Sequence, residues 1–239
     1  HYQCQQVQYS YDEEKGDQAI QIPALEIKPG ERVAILGKVG AGKSTLLRLL
    51  AGQSIATKGK VIIDGVDLAH IDPRDVRRQV GFLSQDSRLF FGTLRQNLML
   101  GHPNATEAEL LQALRISGAL SMVQQDAASL DRLINEGGRG LSGGQRQMVL
   151  LSRLIVRNPQ IVLLDEPTAS MDEQLEAHVI RQLHQWLTGR TLVLVTHRPA
   201  LLNLVDRIVV MENGKVIADG PRDQLINQAQ RNSNVASVA

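Results

Sequence analysis

The chain of 239 residues has little cysteine and no long apolar run. Cys4 is its single cysteine, which excludes an internal disulfide and favours a reducing compartment. No apolar stretch approaches the roughly 18 residues of a membrane-spanning helix, and the N-terminal stretch HYQCQQVQYS lacks the apolar core of a signal peptide. Membrane attachment is therefore expected from another segment or another chain. Because the chain starts at His1 instead of a methionine, we expect it to be a soluble segment of a longer protein.

The chain also lacks an excess of charge of one sign. Its 26 basic and 25 acidic side chains leave a net charge of +1, so no basic surface for nucleic acid or an anionic membrane is predicted. An apolar fraction of 43% and a charged fraction of 21% are typical of globular domains. The length suits one large domain or two small ones that share a core, and there is no repeat or heptad pattern.

Short apolar runs alternate with helical stretches along the chain, which predicts an α/β fold. RVAIL (32–36) is bounded by turn residues and predicts a buried strand, and the helical stretch after it ends at Gly52. Near-continuous Val, Ile and Leu strands between helices indicate a parallel sheet covered on both faces. Further strands are predicted within 59–65, 80–85, 158–167, 189–197 and 205–220.

Helix starts are marked by capping residues. Asp72 before Pro73 is a plausible helix cap, and Thr106 with Glu109 forms a possible capping box. Residues 93 to about 131 are predicted to be mostly helical, and another helix is predicted over 172–189.

The stretch GKVGAGKST (37–45) fits the P-loop pattern, in which a strand leads through glycines into a helix. Glycines let backbone N–H groups turn toward an anion, and the helix N-terminus adds positive potential. Lys43 is expected to reach the β- and γ-phosphates, and the Ser44 hydroxyl to bind Mg²⁺. The alternative is a chance glycine turn, whereas a dinucleotide site is disfavoured because G-x-G-x-x-G is absent. The predicted ATP-binding residues here are Gly37, Val39, Gly40, Ala41, Gly42, Lys43, Ser44 and Thr45.

IVLLDE (161–166) predicts a buried strand that ends in two acids. Asp165 is expected to hold Mg²⁺ and Glu166 to polarise an attacking water. Acids at strand ends are common on protein surfaces, and the P-loop in the same chain is what favours the functional interpretation.

LSGGQ (141–145), here called the signature, precedes a helical stretch. Ser142 and Gln145 have capping-box spacing, so a well-capped helix is the plain interpretation. Glycine, however, is less favourable in a helix than alanine by about 1 kcal/mol. Gly143 and Gly144 are therefore expected where something approaches the backbone closely, and a capped helix N-terminus is a second anion site.

The chain resembles the nucleotide-binding domain of an ABC transporter over nearly its whole length. The resemblance rests on four motifs and their order, which are GKVGAGKST, LSGGQRQ, IVLLDEPTASMD and VTHR. The resemblance implies ATP hydrolysis with Mg²⁺ and a head-to-tail dimer with a second copy. In that dimer each signature closes over the ATP on the partner's P-loop. Ser142 and Gly144 would then contact the γ-phosphate in trans, within the set Ser142, Gly143, Gly144, Gln145 and Asp172.

The same resemblance assigns roles to single residues. Tyr11 matches the aromatic that stacks on adenine, with Tyr9 a weaker candidate, and Gln85 matches the glutamine that senses Mg²⁺ and the attacking water and links to the membrane domain. Asp172 matches a loop that crosses between subunits, and His197 matches a switch histidine near the γ-phosphate. Taken alone, each would be interpreted as a structural or surface residue.

The resemblance also implies a domain layout. It predicts an N-terminal antiparallel β portion around the tyrosines and a P-loop core with a parallel sheet, formed by about 1–85 and 159–226. It also predicts a helical subdomain near 86–158 and a tail over 227–239.

Two stretches are similar to exporter domains, LFFGTLRQNL (89–98) and INEGGRGLSGGQRQ (134–147). The stretches that most resemble bacterial type I secretion ATPases are EGGRGLSGGQRQ, ASMD and 204–226. Leu133 occupies the place of an acid thought to contact the membrane domain. The expected partners are a transmembrane domain on the same full-length chain and, through it, a periplasmic adaptor and an outer-membrane channel. The ATPase domain itself is expected at the cytoplasmic face of the bacterial inner membrane.

Three alternatives remain at this point. One is a multidrug or lipid exporter domain, and another is a soluble ABC ATPase that acts on nucleic acid or the ribosome. The third is a scaffold that has lost hydrolysis. The short spacing between P-loop and signature, without heptads, disfavours a coiled-coil repair protein. The presence of Lys43, Asp165, Glu166 and His197 argues against a scaffold.

Overall fold

The computed structural model describes residues 1–11, 18–124 and 129–228. The chain divides into two compact units, one of His1–Val76 with Arg190–Ala239 and the other of Arg77–Gly189. Helix α2 (Pro73–Gln79) lies where the chain passes from the first unit into the second. No helix in the described ranges has the length and apolarity to cross a membrane.

The first unit opens with an antiparallel sheet, as predicted around the tyrosines. Its strands are β1 (Tyr2–Ser10), β2 (Gln18–Ile27), β4 (Lys58–Ile63) and β5 (Val66–Asp67), in the order β2-β1-β4-β5. Tyr2 and Cys4 alternate with more exposed neighbours and are buried. The Tyr2 hydroxyl donates to the Leu50 carbonyl at 2.8 Å. Burial raises the pKa of the Cys4 thiol to about 12, which keeps it protonated at neutral pH.

A second sheet in the first unit carries the P-loop. Its strands are β3 (Arg32–Leu36), β10 (Thr191–Val195), β11 (Arg207–Glu212) and β12 (Lys215–Pro221). β3 lies between β10 and β11 and is parallel to both, whereas β12 pairs antiparallel with β11. The interior of β3 and all of β10 are buried, as expected for parallel strands. Helix α1 (Lys43–Leu50) follows β3 directly after the P-loop.

The second unit holds one parallel strand pair and most of the helices. β6 (Val80–Leu83) pairs in parallel with β9 (Ile161–Asp165). The short strands β7 (Gly92–Thr93) and β8 (Leu133–Ile134) pair antiparallel. The helices are α3 (Leu94–Leu98), α4 (Glu107–Ser117), α5 (Leu120–Gln124), α6 (Gly143–Val156) and α7 (Glu173–Trp186).

The structure confirms several local predictions. β3 has the predicted bounds, the Asp72 carboxylate accepts from the Arg74 N–H, and Thr106 and Glu109 form both bonds of a capping box. The α/β fold is confirmed, with an antiparallel N-terminal sheet and a second sheet that contains parallel strands.

Some features differ from the expectation or add to it. The β7–β8 pair was not predicted, because each strand has only two residues and carries no periodicity. Residues 222–228 are helical, so the first two residues of the predicted 227–239 tail belong to a helix. Residues 229–239 of that tail, and 125–128 of the predicted helical region, lie outside the described residues.

Candidate functional site

The P-loop wraps around the side chain of its own lysine. Lys43 is the first residue of α1 and is 7% exposed. Its ammonium donates to the carbonyl oxygens of Gly37 at 2.7 Å and Lys38 at 2.9 Å. A lysine held this way lies at the helix N-terminus, where backbone N–H groups and the helix dipole also favour an anion.

The three glycines of the P-loop, Gly37, Gly40 and Gly42, have positive φ angles that other residues adopt at a cost. Gly37 has a φ of 151°, and a Cβ at this position would collide with the Met211 carbonyl oxygen. Gly40 has a φ of 82°, but no atom lies within 4 Å of where its Cβ would be. The loop shape therefore favours glycine at all three positions. Gly37 and Gly42 also need the space, because a Cβ on Gly42 would lie 2.8 Å from the Ala19 carbonyl oxygen.

Tyr11 lies beside the P-loop helix. Its hydroxyl hydrogen-bonds with the Thr45 hydroxyl at 2.7 Å, although the two residues are far apart in sequence. The ring packs edge-on against Tyr9, with centroids 5.1 Å apart, and Tyr11 is still 63% exposed. An exposed aromatic ring anchored by its hydroxyl can offer a stacking surface to a base.

His197 lies on the same sheet edge as the P-loop. It follows β10, and the P-loop follows the adjacent parallel strand β3, with Val195 opposite Ile35. The carboxyl ends of parallel neighbours meet at one edge, which is where ligands bind in open α/β sheets. The exposed His197 and the P-loop thus share the ligand-binding edge of the first unit.

The second unit has a corresponding edge that carries the predicted acids. Gln85 follows β6 and Asp165 ends β9, and these strands are parallel with Leu83 opposite Leu164. Gln85 is exposed, whereas Asp165 is 2% and Glu166 8% exposed. Two buried carboxyl groups at the carboxyl end of a strand are typical of functional sites, because burying a charge is costly.

Glu166 also has a strained backbone. Its φ is 50°, in the left-handed region, which costs a residue other than glycine about 1–3 kcal/mol. The turn brings the chain out of β9 directly after Asp165. Strain of this kind is concentrated at functional sites, where the surrounding structure compensates for it.

The signature forms the capping box predicted for it. The Gln145 N–H donates to the Ser142 Oγ at 3.1 Å, and the Ser142 N–H donates to the Gln145 Oε1 at 2.9 Å. Ser142 is exposed and caps α6. Because a serine hydroxyl can accept one hydrogen bond and still donate its own proton, capping is compatible with binding an anion.

The two signature glycines lie against Ser170 of the same chain. A Cβ on Gly143 would be 3.0 Å from the Ser170 Cβ and 3.2 Å from its Oγ. A Cβ on Gly144 would be 3.0 Å from the Ser170 carbonyl oxygen. The close approach to the backbone that the sequence led us to expect therefore exists within the chain. The residue that approaches is Ser170, which follows Asp165 and Glu166 in the chain.

The 168–172 segment, between β9 and α7, is held at both ends. The hydroxyl of the buried Thr168 donates to the buried Glu176 carboxylate. Asp172 caps α7, where its carboxylate accepts from the Leu175 N–H at 2.9 Å. Upstream of the segment, the Gln147 side chain donates to the Glu166 carbonyl at 3.4 Å. The signature helix and the chain after Asp165 are therefore joined at more than one point.

Sequence reasoning did not find Ser170, Thr168 or Glu176. Their partners are eight or more residues away in the chain, and no local pattern indicates such pairs. It also missed Arg153 of α6, whose guanidinium donates to the Asn97 carbonyl and side chain and to the Arg88 carbonyl. Burial there lowers the pKa of Arg153 to about 10.

The predicted site residues thus fall into two sets, one in each compact unit. The first unit holds Tyr11, Gly37, Val39, Gly40, Ala41, Gly42, Lys43, Ser44, Thr45 and His197. The second unit holds Gln85, Ser142, Gly143, Gly144, Gln145, Asp165, Glu166 and Asp172.

A family model described as "ABC transporter" matches residues 20–169, which is more than half of the chain. The chain belongs to the ABC transporter family. Among curated ABC proteins, the cyclolysin secretion/processing ATP-binding protein CyaB of Bordetella pertussis is 37% identical over 220 residues, covering 92% of this chain and 31% of CyaB. The alpha-hemolysin translocation ATP-binding protein HlyB of Escherichia coli is 37% identical over 206 residues, covering 86% of this chain and 29% of HlyB.

The fold is similar to that of a solved ABC exporter. A bacterial Atm1-family ABC exporter with ATP bound matches with a TM-score of 0.89 and 31% sequence identity, covering 95% of this chain and 40% of that chain. The chain spans about a third of the length of the curated relatives CyaB and HlyB. The relatives confirm the predicted resemblance to type I secretion ATP-binding proteins.

Proposed function

We propose that this chain is the ATP-hydrolysing domain of an ABC exporter, and that it powers protein export of the type I secretion kind. The observation that carries the proposal is that one chain of this family contains both a P-loop and a capped, glycine-lined signature helix. The names of CyaB and HlyB, which concern secretion of cyclolysin and translocation of alpha-hemolysin, support the export of proteins. The proposal takes residues 86–158 as the helical subdomain of this ATPase.

ATP is held through its phosphates and its base. The Lys43 ammonium exchanges its bonds to loop carbonyls for bonds to phosphate oxygens, which are charged and therefore stronger acceptors. Backbone N–H groups from Gly37 to Thr45 surround the phosphates, and the Tyr11 ring stacks on the adenine.

Hydrolysis uses Asp165, which ends β9, and Glu166, which follows it. Glu166 polarises the attacking water, and Gln85 and His197 orient the water and the γ-phosphate. The Ser44 hydroxyl, the Gln85 side chain and the Asp165 carboxylate supply oxygen atoms of the kind that Mg²⁺ prefers, so the donor set fits this ion. When bound, Mg²⁺ neutralises charge on the phosphates.

A second copy of the chain completes each site. Ser142, Gly143, Gly144, Gln145 and Asp172 serve the ATP held by the P-loop of the partner copy. ATP binding drives closure of the two copies, and hydrolysis releases it. The exposed Ser142 hydroxyl supports this role, because it caps its own helix and retains a proton to donate.

The export step requires a membrane domain. We place it on the same full-length chain, at the cytoplasmic face of the bacterial inner membrane, with a periplasmic adaptor and an outer-membrane channel reached through it. Exposed apolar side chains at Phe91 (68%) and Leu133 (65%) support a contact with a protein partner, and no nucleic-acid partner is proposed.

The proposal is tested with the variant Glu166→Gln. The amide keeps the shape of the side chain but is a poor base, so turnover should fall about 10²–10⁴-fold while ATP binding persists. Phosphate release measures turnover, and sedimentation with ATP should detect a stable dimer of the variant. Turnover near that of the unmodified chain would contradict the role of Glu166.

A second measurement tests the dimer itself. Specific ATPase activity of the unmodified chain should rise with protein concentration along a dimerisation curve. Constant specific activity of a chain that sediments as a monomer would contradict the composite site. A gel-shift assay with DNA and RNA checks the nucleic-acid alternative and should show no complex.

A further inference from the structure

We propose that Ser170 is a positioning residue whose side chain favours glycine at position 143, and that its contact with the signature joins the two trans elements of one chain into a single unit. The trans elements are the signature and the 168–172 segment. The functional half of this inference rests on the proposed function, and the packing half does not.

The Ser170 side chain lies close to the place that a Cβ on Gly143 would occupy. A Cβ on Gly143 would meet the Ser170 Cβ at 3.0 Å and Oγ at 3.2 Å, closer than such atoms normally approach. The next nearest atom is Nη2 of Arg146, at 4.0 Å, which is an ordinary contact distance. The Ser170 side chain is therefore the group that crowds a Cβ at position 143.

Gly144 meets the same residue through different atoms. A Cβ there would lie 3.0 Å from the Ser170 carbonyl oxygen, with its carbonyl carbon and Cδ2 of Leu175 each at 3.9 Å. No change of the side chain at position 170 removes these atoms. The two neighbouring glycines thus provide a matched pair, in which a side chain crowds one and the backbone crowds the other.

The backbone conformation does not explain these glycines. Both are the first residues of α6, and a helix accepts alanine more readily than glycine. Without the contact to Ser170, Gly143→Ala would be expected to raise the thermal midpoint. A fall in the midpoint is therefore a sign of crowding and not of helix propensity.

The contact has a functional consequence because Ser170 lies in an anchored segment. Thr168 is tied to Glu176, and Asp172 caps α7, so the backbone on both sides of Ser170 is fixed. Because the signature helix packs against this segment, Ser142 and Asp172 keep a fixed position relative to each other. A second copy would then meet both trans elements in one geometry.

The experiment is a set of paired variants measured by thermal unfolding without nucleotide. Gly143→Ala should lower the midpoint by about 3 °C. Adding Ser170→Gly should restore it, because both crowding atoms are removed. Adding Ser170→Ala instead should not restore it, because the Cβ at 3.0 Å remains. Gly144→Ala should not be restored by Ser170→Gly, and each double variant is compared with its own single variants at position 170.

ATP turnover and binding are measured on the same variants. Gly143→Ala should lower kcat about tenfold by misplacing the trans elements, while the affinity of the chain's own P-loop for ATP stays unchanged. Recovery of both the midpoint and kcat in Gly143→Ala with Ser170→Gly supports the proposal. A midpoint that does not recover overturns it.

Recovery of the midpoint without kcat overturns the positioning role and leaves only packing. An unmodified chain without ATPase activity would contradict the proposed function, and the unfolding measurements would still decide the contact between Ser170 and Gly143.

Discussion

The P-loop and the signature are both glycine-rich starts of helices, yet they use glycine for different reasons. In the P-loop, Gly37 and Gly40 have φ angles of 151° and 82°, which the loop shape requires. In the signature, Gly143 and Gly144 lie inside a regular helix and are crowded by Ser170. A glycine-rich motif can therefore reflect backbone conformation in one region and limited space in another.

The two helix starts also differ in how their N–H groups are satisfied. Helix α1 begins after Gly42 with no side-chain cap, and it offers a lysine. Helix α6 begins with a complete capping box from Ser142 and Gln145. We therefore expect substitutions at the P-loop to affect ATP binding by the same chain, and substitutions at the signature to affect helix stability and the partner's ATP.

Among variants of these two helix starts, the largest effect on stability is expected at Gly37. Gly37→Ala combines an unfavourable φ with a collision against the Met211 carbonyl, and should lower the free energy of unfolding by about 3 kcal/mol. The control, Gly40→Ala, has an unfavourable φ but open space, and should cost about 1 kcal/mol. Urea unfolding measures both variants, and equal losses would contradict the role of the collision.

The next effect is on ATP affinity. Lys43→Met keeps the length of the side chain and removes its charge, so the chain should bind ATP about thirtyfold more weakly, or about 2 kcal/mol. Ser142→Ala should leave this affinity unchanged, because the signature serves the partner's nucleotide. Calorimetry on dilute, monomeric chain measures both. Equal weakening in the two variants would remove the functional distinction between the two helix starts.

A smaller effect separates capping from phosphate binding at the signature. Ser142→Ala loses the cap and should cost about 1 kcal/mol of unfolding free energy. Ser142→Asp keeps a good cap, so its stability should stay near that of the unmodified chain. Its carboxylate would nevertheless repel the partner's phosphates, so turnover should fall at least tenfold. An active Ser142→Asp variant would mean that the signature is only a capped helix.

The smallest effect is expected at Asp172, a third helix start that has a cap and no glycine. Asp172→Asn retains a capping oxygen but loses the charge at the N-terminus of α7. It should cost about 0.5 kcal/mol of unfolding free energy. Asp172→Ala, which also loses the cap, should cost about 1 kcal/mol. If chemical unfolding gives the same loss for both, the hydrogen bond to Leu175 does not stabilise the helix.

Features that depend on a few neighbouring residues were predictable from the sequence. The capping boxes at Thr106 and Ser142 need partners only three residues away, and the strand over 32–36 needs only its own apolar run. One local signal was not used: the Asn213–Gly214 turn between β11 and β12 has two positive φ angles, and an Asn-Gly pair is a known hairpin signal. These signals are local because capping and turn geometry are decided within about one helical turn.

The P-loop, the acids Asp165 and Glu166 after a buried strand, and a capped helix with two unexplained glycines can all be recognised in the amino-acid sequence. Their neighbours in space follow from the fold and not from the local sequence. The fold placed the Tyr11 hydroxyl on Thr45, His197 at the P-loop edge, and Ser170 against Gly143 and Gly144. The physical reason is that strand order and helix packing bring together residues far apart in the chain, and no local propensity records which of them will meet.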